Sequence, residues 1–216
     1  MSSLNILVPQ RNPARSALRA ATDAAHTRLH HQPQFADLAA GRIGLNGYRH
    51  LLARLHGFHA PLESRLLAVP LGDVFGVRMA PRRRVRLLYQ DLVYLGLGRN
   101  EITALPRVHD FLLPDMSTPG RFLGSLYVRE GATLGGRVLA RALDAVLGAG
   151  DERGRCFLSG TGDDPAEWRA LCDALEMAGG LGHLGDLIAG ATDTFAAMEA
   201  WLDPAQWQPE PETRLC

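Results

Sequence analysis

The chain of 216 residues contains no lysine. All 23 of its cationic side chains are arginine, set against 23 acidic ones, so the formal net charge is zero. A balanced charge gives no footprint for a nucleic-acid partner. Any anion the protein holds meets a planar guanidinium or a backbone N–H rather than an ammonium. Cysteine is scarce: Cys156, Cys172 and Cys216 lie far apart, with no C-x-x-C spacing. Such a set builds no disulfide framework and points to a reducing cytoplasm. No run of 18 uncharged apolar residues is present, so no membrane-spanning helix is expected. A basic segment followed by an apolar one is missing at the N-terminus, so no secretory leader is expected. Strand-like alternation, internal repeats and low-complexity segments are missing too.

What the chain does have is helical periodicity. With 46% hydrophobic residues it is long enough for one domain with a full core. The expected organisation is a tail over 1–13, a helical domain over 14–203 and a Pro-rich tail over 204–216. A first helix from Ala14 places Leu18, Ala21, Ala25 and Leu29 on one side and ends near Gln32-Pro33. A second starts around Leu45-Asn46-Gly47 with Asn46 as its cap, and Pro61 implies a kink or break. A Gly/Pro-rich connection over 68–81 leads to a third helix ending at Leu97-Gly98. Arg82, Arg83 and Arg84 stand at its start, where cations oppose the helix dipole. They read as a solvated cluster or as an anion site. A short helix falls within 101–117, a central helix over 119–147, and loops at 148–154 and 157–162. Asp164-Pro165 opens the next helix, with Trp168, Leu171, Leu175 and Met177 on its apolar face, and Gly179-Gly180 ends it. A last helix carries Leu184, Leu187, Ile188, Ala191, Phe195, Met198 and Leu202. The expected architecture is an all-α, single-domain multi-helix bundle.

The central helix is unusual. Gly131, Gly135 and Gly136 lie in its interior, and each interior glycine costs about 1 kcal/mol relative to alanine. Gly131 and Gly135 are four apart and share a face; Ala132 and Gly136 continue it one position round. A strip so bare serves either close helix packing or a flat ligand lying on exposed main chain. On the first helix, His26 shares the apolar side with Leu18, Ala25 and Leu29. It is either a core histidine or a ligand. His30 lies four residues on and Asp23 three residues back, both at metal-ligand spacing. No Glu-x-x-His unit is present, which argues against a di-iron carboxylate bundle.

Four blocks carry a family resemblance. Leu18-Arg19-Ala20-Ala21-Thr22-Asp23-Ala24-Ala25-His26 resembles the first helix of the heme oxygenase family, with its basic-x-x-Thr pattern before an axial histidine. Tyr48 to Glu63 resembles that family's second-helix block, and Arg84 to Gly96 its third. Gly124 to Leu139 resembles the glycine-kinked distal helix of bacterial biliverdin-producing members, bacteriophytochrome-associated or iron-acquiring. The resemblance implies heme b, cofactor and substrate at once, sandwiched between the first helix and that distal helix. It implies His26 as the iron ligand. Arg19, Thr22, Tyr127, Gly131, Gly135, Gly136 and Arg169 would bind the porphyrin, and Gly131, Ala132 and Gly135 would form the O₂ side. Arg19 also shares the face of His26, nearly two turns earlier.

The implied reaction is heme with O₂ and electrons giving biliverdin, CO and ferrous iron. A ferredoxin, a reductase or ascorbate would supply electrons, and a bacteriophytochrome is a possible acceptor of the product. Two positions depart from the family. His30 stands where an acidic residue often follows the axial histidine, and Ala132 where an Asp or Ser holds distal water. These departures support an alternative, a non-catalytic heme or biliverdin carrier. A non-heme metal oxidase on the same scaffold is a third reading, for which the carboxylate ligands are missing.

Overall fold

The computed structural model describes residues 12–69, 75–77, 84–150, 152–160 and 164–206. Among them no strand occurs, and no helix is long and apolar enough to cross a membrane. Helix α1 (Pro13–His30) begins on a proline, where the missing N–H has no helical partner to lose. It stops before Gln32-Pro33, and Pro33 opens the short α2 (Pro33–Ala39).

Helix α3 (Leu45–Ala68) starts earlier than Asn46, which lies inside its first turn; Gly44 is the cap residue and no side chain caps. Pro61 does not break it. The carbonyl of Gly57, which Pro61 cannot satisfy, accepts a hydrogen bond from Val108 N at 3.1 Å. Helix α4 (Val85–Tyr94) ends short of the expected Leu97-Gly98. Gly96, with φ of 95°, turns the chain there, and Gly98 caps α5 (Arg99–Ala104) instead. Arg82 and Arg83 lie outside the described residues, as does most of the connection over 68–81.

Helix α6 (Pro119–Arg141) is capped by the Thr118 hydroxyl, which accepts from Arg121 N. The expected continuous helix to residue 147 is interrupted: α7 (Asp144–Leu147) is a separate turn. Buried Arg155 holds this corner. Its guanidinium donates to the Ala140 carbonyl at 2.8 Å, the Asp144 carboxylate at 2.6 Å and the Gly148 carbonyl at 2.8 Å. The expected loop after residue 156 begins as a helical turn, α8 (Cys156–Ser159). Buried Asp91 of α4 makes it so by accepting Cys156 N and Phe157 N, both at 2.8 Å. Thr161 and Gly162 lie outside the described residues.

Helix α9 (Asp164–Ala178) does not stop at Gly179-Gly180. A π-helical turn (Gly179–His183) carries it into α10 (Leu184–Leu202), and Gly182, with φ of 92°, supplies the bend. Met177, expected on the apolar face, is exposed.

Helix α10 is the centre of the packing. Helix α6 runs along it, and α1 lies against it as well. Two glycines permit the first approach: a Cβ on Gly124 would collide with the Leu187 carbonyl, and one on Gly190 with the backbone of Arg121. Leu126, Leu175, Leu187 and Phe195 fill this interface region, and Tyr48, Leu52, Phe58 and Leu62 of α3 complete the core. Because α1 and α6 both rest on α10, the space between them stays open.

Candidate functional site

A cavity of about 400 Å³ occupies that space, within the range of small-molecule and cofactor sites. Helix α1 lines it with Arg19, Thr22, His26 and His30, spaced three or four apart along one face. Helix α6 contributes Gly131, Ala132, Gly135 and Gly136, with Tyr127 and Val128 one turn earlier. The remaining wall is mostly apolar: Leu55 of α3, Phe157 and Leu158 of α8, Phe195 and Met198 of α10.

The glycines of α6 divide into two groups. A Cβ on Gly136 would stand 2.7 Å from the Leu158 carbonyl oxygen, so this glycine exists for helix packing. A Cβ on Gly131 would find only the Trp168 ring, at 4.0 Å, and one on Gly135 nothing within 4 Å. Among the described residues no packing neighbour accounts for these two. Their main chain lies bare on the cavity.

On the facing helix, His26 and His30 are both exposed, and their Nε2 atoms stand 3.2 Å apart. The His26 ring meets the edge of Phe195, with centroids 6.3 Å apart. His30 therefore does not reach the Nδ1 of His26, where an orienting partner would act. Its pKa is lowered, first by burial and then by His26 and His31. Thr22 is buried and donates to the Leu18 carbonyl at 2.8 Å. Burial raises the phenol pKa of Tyr127; Thr22 and Arg19 lie close enough to oppose that shift. Arg169 is not brought here. It is exposed, outside the cavity lining, and its Nε donates to the Pro165 carbonyl at 3.3 Å. Helix α9 reaches the region through its neighbour Trp168, whose ring lies 5.9 Å from that of Tyr127.

Comparison with known proteins gives the family. The heme oxygenase family model matches residues 12–203. The chain belongs to the heme oxygenase family. A protein of Xanthomonas campestris pv. campestris (strain 8004) named heme oxygenase is 34% identical over 160 residues, covering 74% of this chain and 90% of its own.

The residues present suit the porphyrin that this family takes as substrate. A largely apolar slot, two bare stretches of main chain, an imidazole on the facing helix and an arginine on the lining together match an apolar disc with an iron centre and an acidic edge. Among the described residues Arg19 is the one arginine of that lining.

Two features of this family member were not anticipated from sequence. The first is a buried ion network directly before Gly131. Arg129 pairs with Glu63 and with Glu130 (2.8 Å), and Arg84 pairs with Glu130 (3.1 Å). Glu63 also accepts the backbone N–H groups of Arg84 and Val85, at 2.7 and 3.2 Å. Among the described residues two guanidiniums face two carboxylates, and buried charge requires such pairing. Arg84 is thus neither a solvated cation nor an anion site; it helps anchor the bare segment of α6.

The second is His59. It is buried, lines the cavity and has an Nδ1 with no hydrogen-bond partner among the described residues. Burial, and then the cations Arg129 and Arg84, lower its pKa to about 3, so it is neutral in the folded protein. Its signal was in the sequence: Leu52, Leu55, His59 and Leu62 follow the helical period, so the buried face of α3 includes it.

Proposed function

We propose that the protein is a biliverdin-forming heme oxygenase, which uses O₂ and electrons to open heme to biliverdin, CO and ferrous iron. The observation that carries this reading is the shared cavity of His26 and the bare main chain at Gly131 and Gly135. When bound, heme supplies both the iron that activates O₂ and the ring that is oxidised, and the protein supplies position and electrostatics.

His26 is the proposed iron ligand, through a neutral imidazole nitrogen. To offer Nε2 it exchanges its contact with His30, a neutral hydrogen bond worth about 1 kcal/mol net. Arg19 would pair with a propionate, with Thr22 and Tyr127 beside it; Arg169 lies outside the cavity lining. The bare main chain at Gly131 and Gly135 would face the porphyrin and leave space for O₂. Ala132 offers no hydroxyl or carboxylate there. His59 is the neutral polar group on the adjoining wall, and it takes over the holding of water. Electrons come from a ferredoxin, a reductase or ascorbate in the cytoplasm. A bacteriophytochrome taking up the bilin, or cellular use of the iron, follows from the products.

The absence of a polar group at Ala132 favours one other reading, a carrier that holds heme or biliverdin without turnover. Ascorbate added under air to the hemin complex separates them. Loss of the Soret band with growth of a bilin band and release of CO supports the oxygenase. A Soret band that persists through repeated additions supports the carrier. The non-heme oxidase reading lacks a full ligand set: among the described residues no group of three or more His, Cys, Asp or Glu could hold a metal.

A further inference from the structure

His26 and His30 are each other's polar partner. They stand four apart on one face of α1, exposed, on the lining of the same cavity. Their Nε2 atoms are 3.2 Å apart and their ring centroids 4.4 Å. With metal–nitrogen bonds of about 2.0–2.1 Å, two imidazoles on one ion place their nitrogens about 2.9 Å apart at a right angle and about 3.3 Å apart at the tetrahedral angle. The observed separation lies between the two.

We propose that His26 and His30 chelate a divalent first-row transition-metal ion through their Nε2 atoms, so that the cavity holds either such an ion or heme. The chemistry is straightforward. In the hydrogen-bonded pair one Nε2 carries a proton; that proton moves to Nδ1 of the same ring, and both lone pairs turn to the ion with no change in the charge of the protein. Imidazole pairs suit zinc, copper, nickel and ferrous iron, with copper the tightest and ferrous iron weaker than zinc. Among the described residues no third protein donor completes the set. Water fills the other positions, and the ion exchanges.

The dyad follows from the geometry of α1 alone; only its competition with heme rests on the proposed function. On that reading the ferrous iron set free at His26 meets His30 as its next donor. The dyad then retains the product ion until it exchanges.

Calorimetric titration of the heme-free protein with zinc chloride tests this, on wild type, His26→Ala, His30→Ala and His31→Ala. His31 is a control on the same helix, since its Nδ1 already bonds the Thr27 carbonyl at 2.8 Å. His26 and His30 are exposed on α1 and His31 is exposed at its C-cap, so alanine does not threaten the fold. One zinc per chain is expected. Binding weakens at least tenfold in His26→Ala and in His30→Ala, is unchanged in His31→Ala, and is lost from the hemin-loaded protein. Zinc affinity unchanged in His30→Ala, or no zinc bound by wild type, overturns the dyad. Hemin-loaded protein that binds zinc as before overturns the competition. Protein that binds zinc through both histidines yet takes no hemin upholds the dyad and removes the heme reading instead.

Discussion

Alanine at Gly135 separates the two uses of glycine in α6. A Cβ there meets no atom within 4 Å, so the heme-free protein gains helix propensity and loses nothing. The gain is about 1 kcal/mol, or about 2–4 °C in Tm for a chain of this size. With heme in the slot the same methyl meets the ring. Overpacking of that kind costs about 1–3 kcal/mol, which weakens heme binding by roughly 5- to 150-fold. Gly136→Ala is the comparison. Its Cβ falls 2.7 Å from the Leu158 carbonyl oxygen and 3.2 Å from the Leu158 Cα, both backbone atoms. The clash offsets the propensity gain and leaves a net loss of up to about 2 kcal/mol. Thermal unfolding of the heme-free proteins and hemin titration at the Soret band read both effects. Gly135→Ala should be more stable, bind heme more weakly and turn over less. A Gly135→Ala protein that is less stable, or more stable with heme affinity and turnover intact, refutes the assignment of this main chain to a ligand.

Three further perturbations test the supports of the site. Glu130→Ala removes the carboxylate that Arg84 and Arg129 share, and breaking a buried pair in this way costs about 3–5 kcal/mol; urea unfolding should show that loss. His59 titrates near 3 in the fold and near 6.5 when unfolded. Between those values the unfolded chain binds more protons, so stability falls as pH falls below 6.5, by up to about 5 kcal/mol from this group. The nearby Glu63, Glu130 and His56 are common to wild type and His59→Phe, so the difference between their pH–stability curves isolates His59. The variant should be flatter from pH 6.5 downward. Asp91→Ala removes the acceptor of two backbone N–H groups at the start of α8. It should cost about 1–3 kcal/mol and weaken heme binding, because Phe157 and Leu158 are carried to the cavity by that turn.

The glycine spacing of α6 and the periodic Arg19, Thr22 and His26 were legible because a helix turns a sequence interval into a face. Boundaries were less legible where the deciding partner is far along the chain. Val108 rescues α3 across Pro61, Arg155 turns the corner after α6, and Asp91 makes α8 from a stretch that reads as loop. The same holds for charge. A run of arginines reads as solvated, yet Arg84 is buried against Glu130, 46 positions away. Arg169 and Trp168 are neighbours in sequence, and only the packing of α9 shows which of them turns toward α6. Whether a glycine is bare for a helix or for a ligand is likewise a matter of what stands opposite, and Gly135 and Gly136 differ in that alone.

The central claim is that His26 binds iron across the slot from Gly131 and Gly135. Resonance Raman spectra of the heme complex reduced with dithionite test it through the ferrous iron–histidine stretching band. The band should be present in wild type, absent in His26→Ala, and restored when imidazole is added to fill the vacated space. A band that survives in His26→Ala without imidazole would place the ligand elsewhere, at His30 or His59, and contradict the account.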